Sequence, residues 1–222
     1  MKRAAIIASL ILAAFLFYVY TQPAYTHRFR LTIEVQTPDG IKSGSSVIET
    51  SAWESGNWGL VEARGICRDF RGRALFVDLG QGRNLFALLG FGPRGDQDEL
   101  FKLTSAALAP GKQFSWQEEF RLKGRGVLPA NDIPILVTFG DLNNPATAAL
   151  VAPADMAKTF GPGFAFRQLV LETTNDSVSG KIGKILPWWR SPGRPSAVAY
   201  RAWRHSSVND AAVPPEALFQ KE

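Results

Sequence analysis

The chain has 222 residues, of which 45% are hydrophobic, 20% charged and 11% aromatic. That globular composition excludes collagen-like repeats, long coiled coil and disorder throughout. Its 25 lysines and arginines against 20 aspartates and glutamates give a formal charge of +5. This is too mild to dictate a nucleic-acid partner, whose affinity comes from densely packed cations facing phosphates. A single cysteine, Cys67, excludes an intrachain disulfide, and two histidines, His27 and His205, leave little material for a His-rich metal site.

Lys2 and Arg3 precede residues 4–20, an uncharged run whose only polar residue is Ser9, apart from the hydroxyls of Tyr18 and Tyr20. As a helix it would span ~26 Å, close to a hydrocarbon core of ~30 Å. Signal-peptide cleavage fits poorly. A cut after Ala24 puts Gln22 at −3, and one after Thr21 puts Val19 there. No cysteine follows, so a lipoprotein anchor is excluded. With no polar face on the run, an anchor is expected over a buried core helix. Lys2 and Arg3 favour a cytoplasmic N-terminus, whereas His27, Arg28 and Arg30 pull the other way. The short N-tail matches a secretory n-region. The expectation is a single-pass inner-membrane protein with its domain in a bacterial periplasm, the alternative being release there after leader cleavage.

Residues 29–36 alternate, with Phe29, Leu31, Ile33 and Val35 on one face and Arg30, Thr32, Glu34 and Gln36 on the other. That predicts a half-buried strand. Thr37-Pro38-Asp39-Gly40 supplies a turn, and a second strand falls within residues 41–53. Strands are predicted over 59–63, 74–79 and 84–91, the last two joined by Gly80-Gln81-Gly82-Arg83 as a hairpin. Asp96 opens a predicted helix with a capping-box-like Asp-x-x-Glu, burying Leu100, Leu103, Ala107 and Leu108 and stopping at Pro110-Gly111. Residues 113–123 suit strand or helix. A strand is predicted over 133–139, its start pushed to an edge by Pro134. Asn144-Pro145 can cap a short helix. Residues 154–160 suit another, closed by Gly161, and 164–174 read as a strand.

The fold class expected is α+β: a β-rich first half of antiparallel strands and hairpins, then a few short helices among strands, after one N-terminal transmembrane helix. Three parts follow. Residues 1–24 are the anchor or signal peptide, 25–189 a single globular domain, and 190–222 a basic, aromatic C-terminal tail.

Several stretches together resemble an uncharacterised family of bacterial hypothetical proteins with an N-terminal signal anchor. They are residues 30–40 with Ser43-Gly44-Ser45-Ser46-Val47-Ile48-Glu49, residues 78–80 through 85–89, residues 136–143, Phe160-Gly161-Pro162-Gly163 and Leu186-Pro187-Trp188-Trp189. They cover about residues 29–189. The resemblance implies one domain over that range and carries no activity, fold or catalytic residues with it.

Gly90-Phe91-Gly92-Pro93-Arg94-Gly95 matches G-x-G-x-x-G between a predicted strand and a predicted helix, and Glu119 lies at a distance suited to a ribose contact. Proline inside the loop removes a backbone donor, and a hairpin strand is not a parallel βαβ unit. A glycine-rich turn is the better reading, and no cofactor is expected. Ser177 or Ser179 near Lys181 could form a Ser–Lys dyad, against the blander reading of a capping serine and a solvated lysine. Asp96, Asp98 and Glu99 could ligate calcium but lack a loop of alternating ligands, so no metal is expected. Asp69, Asp78, Asp132, Asp141 and Glu172 are carboxylate candidates only because they exist.

From Asp176 to Asp210 no acid intervenes. The interval holds Lys181, Lys184, Arg190, Arg194, Arg201 and Arg204, interleaved with Trp188, Trp189, Tyr200 and Trp203. Cations among rings suit an anionic membrane surface. The same pattern serves single-stranded nucleic acid, a less favoured partner here, and the plain alternative is that Trp188 and Trp189 close the core. The candidate binding residues are Lys181, Lys184, Trp188, Trp189, Arg190, Arg194, Arg201, Trp203 and Arg204. The expected partners are the inner membrane, through residues 4–20, and an anionic lipid or envelope protein, through the C-terminal region. The function expected is a non-catalytic binding or accessory protein of the cell envelope. The alternative is an envelope hydrolase with a carboxylate- or serine-based site.

Overall fold

A computed structural model describes residues 11–13, 24–54, 65–93, 95–180, 182–190 and 219–221, with the side chains of residues 189 and 190 outside the description. The chain divides into two compact units, Met1–Thr26 with Ser51–Asp69, and His27–Thr50 with Phe70–Glu222. In the smaller unit the Ser51 hydroxyl donates to the Asp69 carbonyl at 3.4 Å. Residues 11–13 are helical. The rest of the predicted anchor lies outside the described residues, among which no helix is long and apolar enough to cross a membrane. The strand predicted over 59–63 lies outside them too.

Among the described residues, ten strands form two sheets. The first has six, in the order β10-β3-β2-β1-β9-β6: β1 (Tyr25–Thr37), β2 (Gly40–Glu54), β3 (Ile66–Arg73), β6 (Arg125–Val127), β9 (Ala165–Thr173) and β10 (Gln220–Lys221). The second has four, β4-β5-β7-β8: β4 (Leu75–Gly80), β5 (Arg83–Ala87), β7 (Leu136–Phe139) and β8 (Ala148–Val151). Beyond the helical residues 11–13, the described residues hold three short α-helices, α1 (Leu103–Leu108), α2 (Trp116–Glu119) and α3 (Met156–Phe160). The molecule is therefore β-rich α+β, as its alternating segments imply.

The alternation of β1 survives intact. Phe29, Leu31, Ile33 and Val35 are buried, and Leu31 and Ile33 face Leu171 and Leu169 on antiparallel β9. The β4–β5 hairpin turns through Gln81 and Gly82, both with positive φ (54° and 75°), which matches the twist of a two-residue hairpin loop. Asn84 then knits β5 to β7. Its amide donates to the Phe139 carbonyl at 2.8 Å and its carbonyl accepts from Phe139 N–H at 2.9 Å.

The helix predicted to start at Asp96 begins later and in two pieces. A 3-10 turn spans Asp98–Phe101, and α1 follows after Lys102. The expected capping box does not form, because Asp96 spends its carboxylate on the N–H of Asp98, two residues on. Consecutive Leu100 and Phe101 are both buried. This segment crosses the six-stranded sheet. The Phe101 ring meets Phe70 edge-on at 6.5 Å, Thr104 meets His27, and the Ala107 carbonyl lies over Gly126 so closely that a Cβ there would overlap it. Residues 113–123 resolve as α2, with a true capping box between Ser115 and Glu118. Gly44 sits under the Phe76 carbonyl in the same intolerant way as Gly126 under Ala107.

A second cluster forms behind the four-stranded sheet. It holds Ala74, Phe86, Leu88, Val137, Phe139, Ile182, Leu186, Trp188 and Phe219. Phe219, which the sequence reading leaves in the tail, is 0% exposed, and its carbonyl accepts from Ala74 N–H at 2.6 Å. The two residues after it form β10 against Arg73 and Gly72.

Candidate functional site

The basic C-terminal segment is rooted in this cluster. Ile182 and Leu186 are wholly buried and Lys184 is exposed between them. Trp188 is 9% exposed, with its ring 6.0 Å from both Phe139 and Phe219. The expectation that Trp188 offers its ring to a membrane is thus corrected: apolar packing against two phenylalanines holds it inside. Lys181, Arg194, Arg201, Trp203 and Arg204, with the side chains of Trp189 and Arg190, lie outside the described residues. Of the nine predicted binding residues, the described ones place Lys184 at the surface and Trp188 in the core.

The structure also assembles a guanidinium cluster that no motif announced. On β2, Glu49 is buried, with 7% of its side chain exposed, and each carboxylate oxygen holds an arginine. Arg28 of β1 donates Nε to Oε2 at 2.6 Å. Arg71 of β3 donates Nε to Oε1 at 2.9 Å and adds Nη2 to the same oxygen. Burial alone pushes the Glu49 carboxyl up, but the hydrogen bonds and charges of Arg71 and Arg28 outweigh it and hold the pKa below the ordinary value. Farther along β1, Arg30 pairs with Asp176, which also accepts from the Thr174 hydroxyl. Strand alternation could have grouped Arg28 with Arg30 and Arg71 with Arg73. Which strands are neighbours was the missing information.

The remaining candidates fall to structural roles. Ser179 accepts from Val47 N–H at its Oγ (2.7 Å), and its own N–H donates to the Val47 carbonyl (3.1 Å). The hydroxyl oxygen is thereby committed to the backbone of β2. The glycine loop closes on itself. Phe91 and Asp96 exchange both backbone hydrogen bonds at 2.9 Å, and Gly95 N–H donates to the Gly92 carbonyl. The strands before it are antiparallel, so the βαβ context of a dinucleotide site is absent here. Glu119 gives Oε1 to the N–H of Ser105 in the first turn of α1. Among the described residues no group of three or more His, Cys, Asp or Glu side chains could hold a metal ion. The Asp132 carboxyl is raised above its ordinary value, by burial first and the charge of Glu99 second.

His27 lies on β1 and is 3% exposed. Its Nε2 meets the Thr104 hydroxyl at 3.0 Å, and Phe29 and Phe120 pack their rings against it. Burial, and after it the Lys123 charge, lower its pKa from 6.5 to about 4 against a smaller opposing effect of the Phe120 backbone. Nδ1 has no well-formed partner among the described residues. A neutral, enclosed imidazole of this kind is a core element, unsuited to exchanging protons near neutrality.

The chain matches no family model, no curated protein and no solved structure.

Proposed function

We propose that this chain is a membrane-anchored, non-catalytic binding or accessory protein of the cell envelope. Residues 4–20 are its anchor, its domain lies in the periplasm, and the basic, aromatic C-terminal segment is its docking element. The observation that carries this reading is the rooting of that segment. Trp188 before it and Phe219 after it are fixed in one cluster with their ring centroids 6.0 Å apart. The described residues on either side of that segment thus lie side by side. The segment carries Arg190, Arg194, Arg201 and Arg204 beside Trp189 and Trp203, a pattern suited to anionic lipid or an acidic protein surface.

The test is protease accessibility of a C-terminally tagged chain in spheroplasts, read by size. A full-length, protease-sensitive band is expected. A protected band while the inner membrane is intact removes the periplasmic placement, and a shortened sensitive band replaces the anchor with a cleaved leader. Replacing Arg190, Arg194, Arg201 and Arg204 by glutamine should then reduce recovery of a crosslinked partner or anionic lipid; unchanged recovery sinks the docking role.

A second reading, an envelope hydrolase, draws on Asp132. Its carboxyl titrates high beside Glu99, the kind of divergence a general acid uses. Hydrolysis of a glycan or peptide substrate that is abolished by Asp132→Asn, with the thermal transition unchanged, would favour this reading over the first.

A further inference from the structure

Among the described residues the two sheets end on four edge strands, β4, β6, β8 and β10. Three of them are guarded. Gly44 of β2 lies against the Phe76 carbonyl of β4, so closely that no Cβ fits between them. β6 has three residues and carries exposed Arg125, and β10 has two and ends on Lys221. Cover, shortness and charge are the usual means of keeping an edge from pairing. β8 has neither cover nor charge. Ala149 and Leu150 are exposed, Leu150 at 42%, and residues 142–154 contain no charged side chain.

The backbone of an antiparallel strand faces its neighbour and the open side in alternation. Gly140 N–H donates to the Thr147 carbonyl at 3.3 Å, and the pairs Thr138↔Ala149 and Leu136↔Val151 continue that inward set. Ala148, Leu150 and Ala152 therefore turn their N–H and C=O groups away from β7. Two of these groups are engaged within the chain. Ala148 N–H donates to the Pro145 carbonyl, and the Ala152 carbonyl accepts from Asp155 N–H at 2.9 Å. The Ala148 carbonyl, both Leu150 groups and the Ala152 N–H find no backbone partner among the described residues. Ala148 (φ −63°, ψ 133°) and Ala152 (φ −79°, ψ 139°) are both extended, so the open row keeps strand geometry to each end.

This row is its own complement. A two-fold axis at Leu150 sets its N–H against the Leu150 carbonyl of a second copy, and the Ala152 N–H against the Ala148 carbonyl, each in both directions. Every partial positive charge then falls on a partial negative one. The engaged groups, Ala148 N–H and the Ala152 carbonyl, are the two that would otherwise face each other, so no group is stranded. Leu150 lies opposite Val137, and Val137 opposite Phe86 of the second cluster. Pairing therefore sets Leu150 against its copy and carries that apolar row across the axis.

We propose that β8 is a self-association edge: two copies of this chain pair antiparallel about Leu150 and join their four-stranded sheets into one. Pro145 and Pro153 bracket the strand and limit the pairing to this length. A two-fold contact uses the edge up, so the assembly closes as a dimer. With so short an interface the dimer is a weak one. It does not depend on the envelope reading.

The test is sedimentation equilibrium of the full chain in neutral detergent, with disulfide crosslinking beside it. The parent should show a concentration-dependent monomer–dimer equilibrium. Ala152→Pro removes the outward donor at a φ that proline accepts and breaks no backbone bond within the chain. It deletes the Ala152 bond from each side of the pair and should weaken the dimer by about tenfold or more. Leu150→Lys places like charges opposite each other and should abolish the dimer. Val127→Lys, on an edge of the other sheet, should leave it unchanged. A monomeric parent, or a dimer that neither β8 substitution weakens, overturns the proposal. Crosslinking reads the register. With Cys67 replaced by serine, Leu150→Cys should join to its copy on oxidation, since opposed Cα atoms lie about 5.5 Å apart. Ala149→Cys points to the other face and has Val151 opposite, so it should not. Equal crosslinking of the two, or capture of Leu150→Cys by a different protein in whole cells in place of its copy, also overturns the proposal.

Discussion

Trp188 and Phe219 meet edge to face, their ring planes 89° apart and their centroids 6.0 Å apart. Phe219 also touches Phe86 and Phe139, so one residue near the C-terminus closes an aromatic cluster built on β5 and β7.

Phe219→Ala removes a fully buried ring and leaves a cavity beside three other rings. The expected cost is about 3–5 kcal/mol, read as a lower urea midpoint for the full chain in detergent. A change below about 1 kcal/mol would mean the C-terminal residues do not rest in the cluster.

His27 makes stability depend on pH. The unfolded ring takes a proton near 6.5 and the folded ring only near 4, so between those values the unfolded chain binds more protons. Stability is fully present above about pH 6.5 and falls as pH drops toward 4, by roughly 3 kcal/mol in all. His27→Phe should flatten that stretch of the curve; a parent profile level from pH 7 to 4 would refute the assignment.

Glu49 acts in a lower window. Its folded pKa is depressed below the ordinary 4.5, so its contribution is present above that value and is lost as pH falls through the folded one. Glu49→Gln leaves Arg28 and Arg71 facing a neutral amide. Because the two arginine side chains are 37% and 55% exposed, solvent screens part of the effect, and about 1–3 kcal/mol at pH 7 is expected. Equilibrium unfolding at pH 7 and pH 3.5 checks both points: the loss relative to the parent should shrink at the lower pH.

Gly44→Ala forces a Cβ onto the Phe76 carbonyl oxygen, a backbone atom that cannot rotate away. The strands must part locally, at a cost of about 1–3 kcal/mol or more. Gly111→Ala, where nothing lies within 4 Å but φ is +80°, should cost less, about 1 kcal/mol. Thermal midpoints of the two variants in parallel separate steric overlap from backbone strain.

Legibility followed how locally each feature is decided. The alternation of β1, the turn at Gln81 and Gly82, the Asn144 cap and the Gly161 stop are set by near neighbours, and all appear as read. β3 was missed because Arg68, Asp69, Arg71 and Arg73 break its apolar pattern, and the charge partner of Arg71, Glu49, lies on another strand. β6 and β8, of three and four residues, are too short to show a period. β10 rests on Phe219, whose only local hint is the apolar run Ala217-Leu218-Phe219. The guanidinium cluster was illegible for a related reason: Arg28, Glu49 and Arg71 become neighbours only once strand order is known.

That strand order also sets a timetable. Phe29 near the start of the chain faces Thr173, and Arg73 faces Gln220. Contacts this distant in sequence form slowly. During synthesis β1 must wait with Leu31 and Ile33 uncovered until Leu171 and Leu169 emerge, and the sheet gains its last edge only when residue 221 is free. The six-stranded sheet therefore closes late, since its β1–β9 and β3–β10 pairings wait for residues made after every strand of the four-stranded sheet.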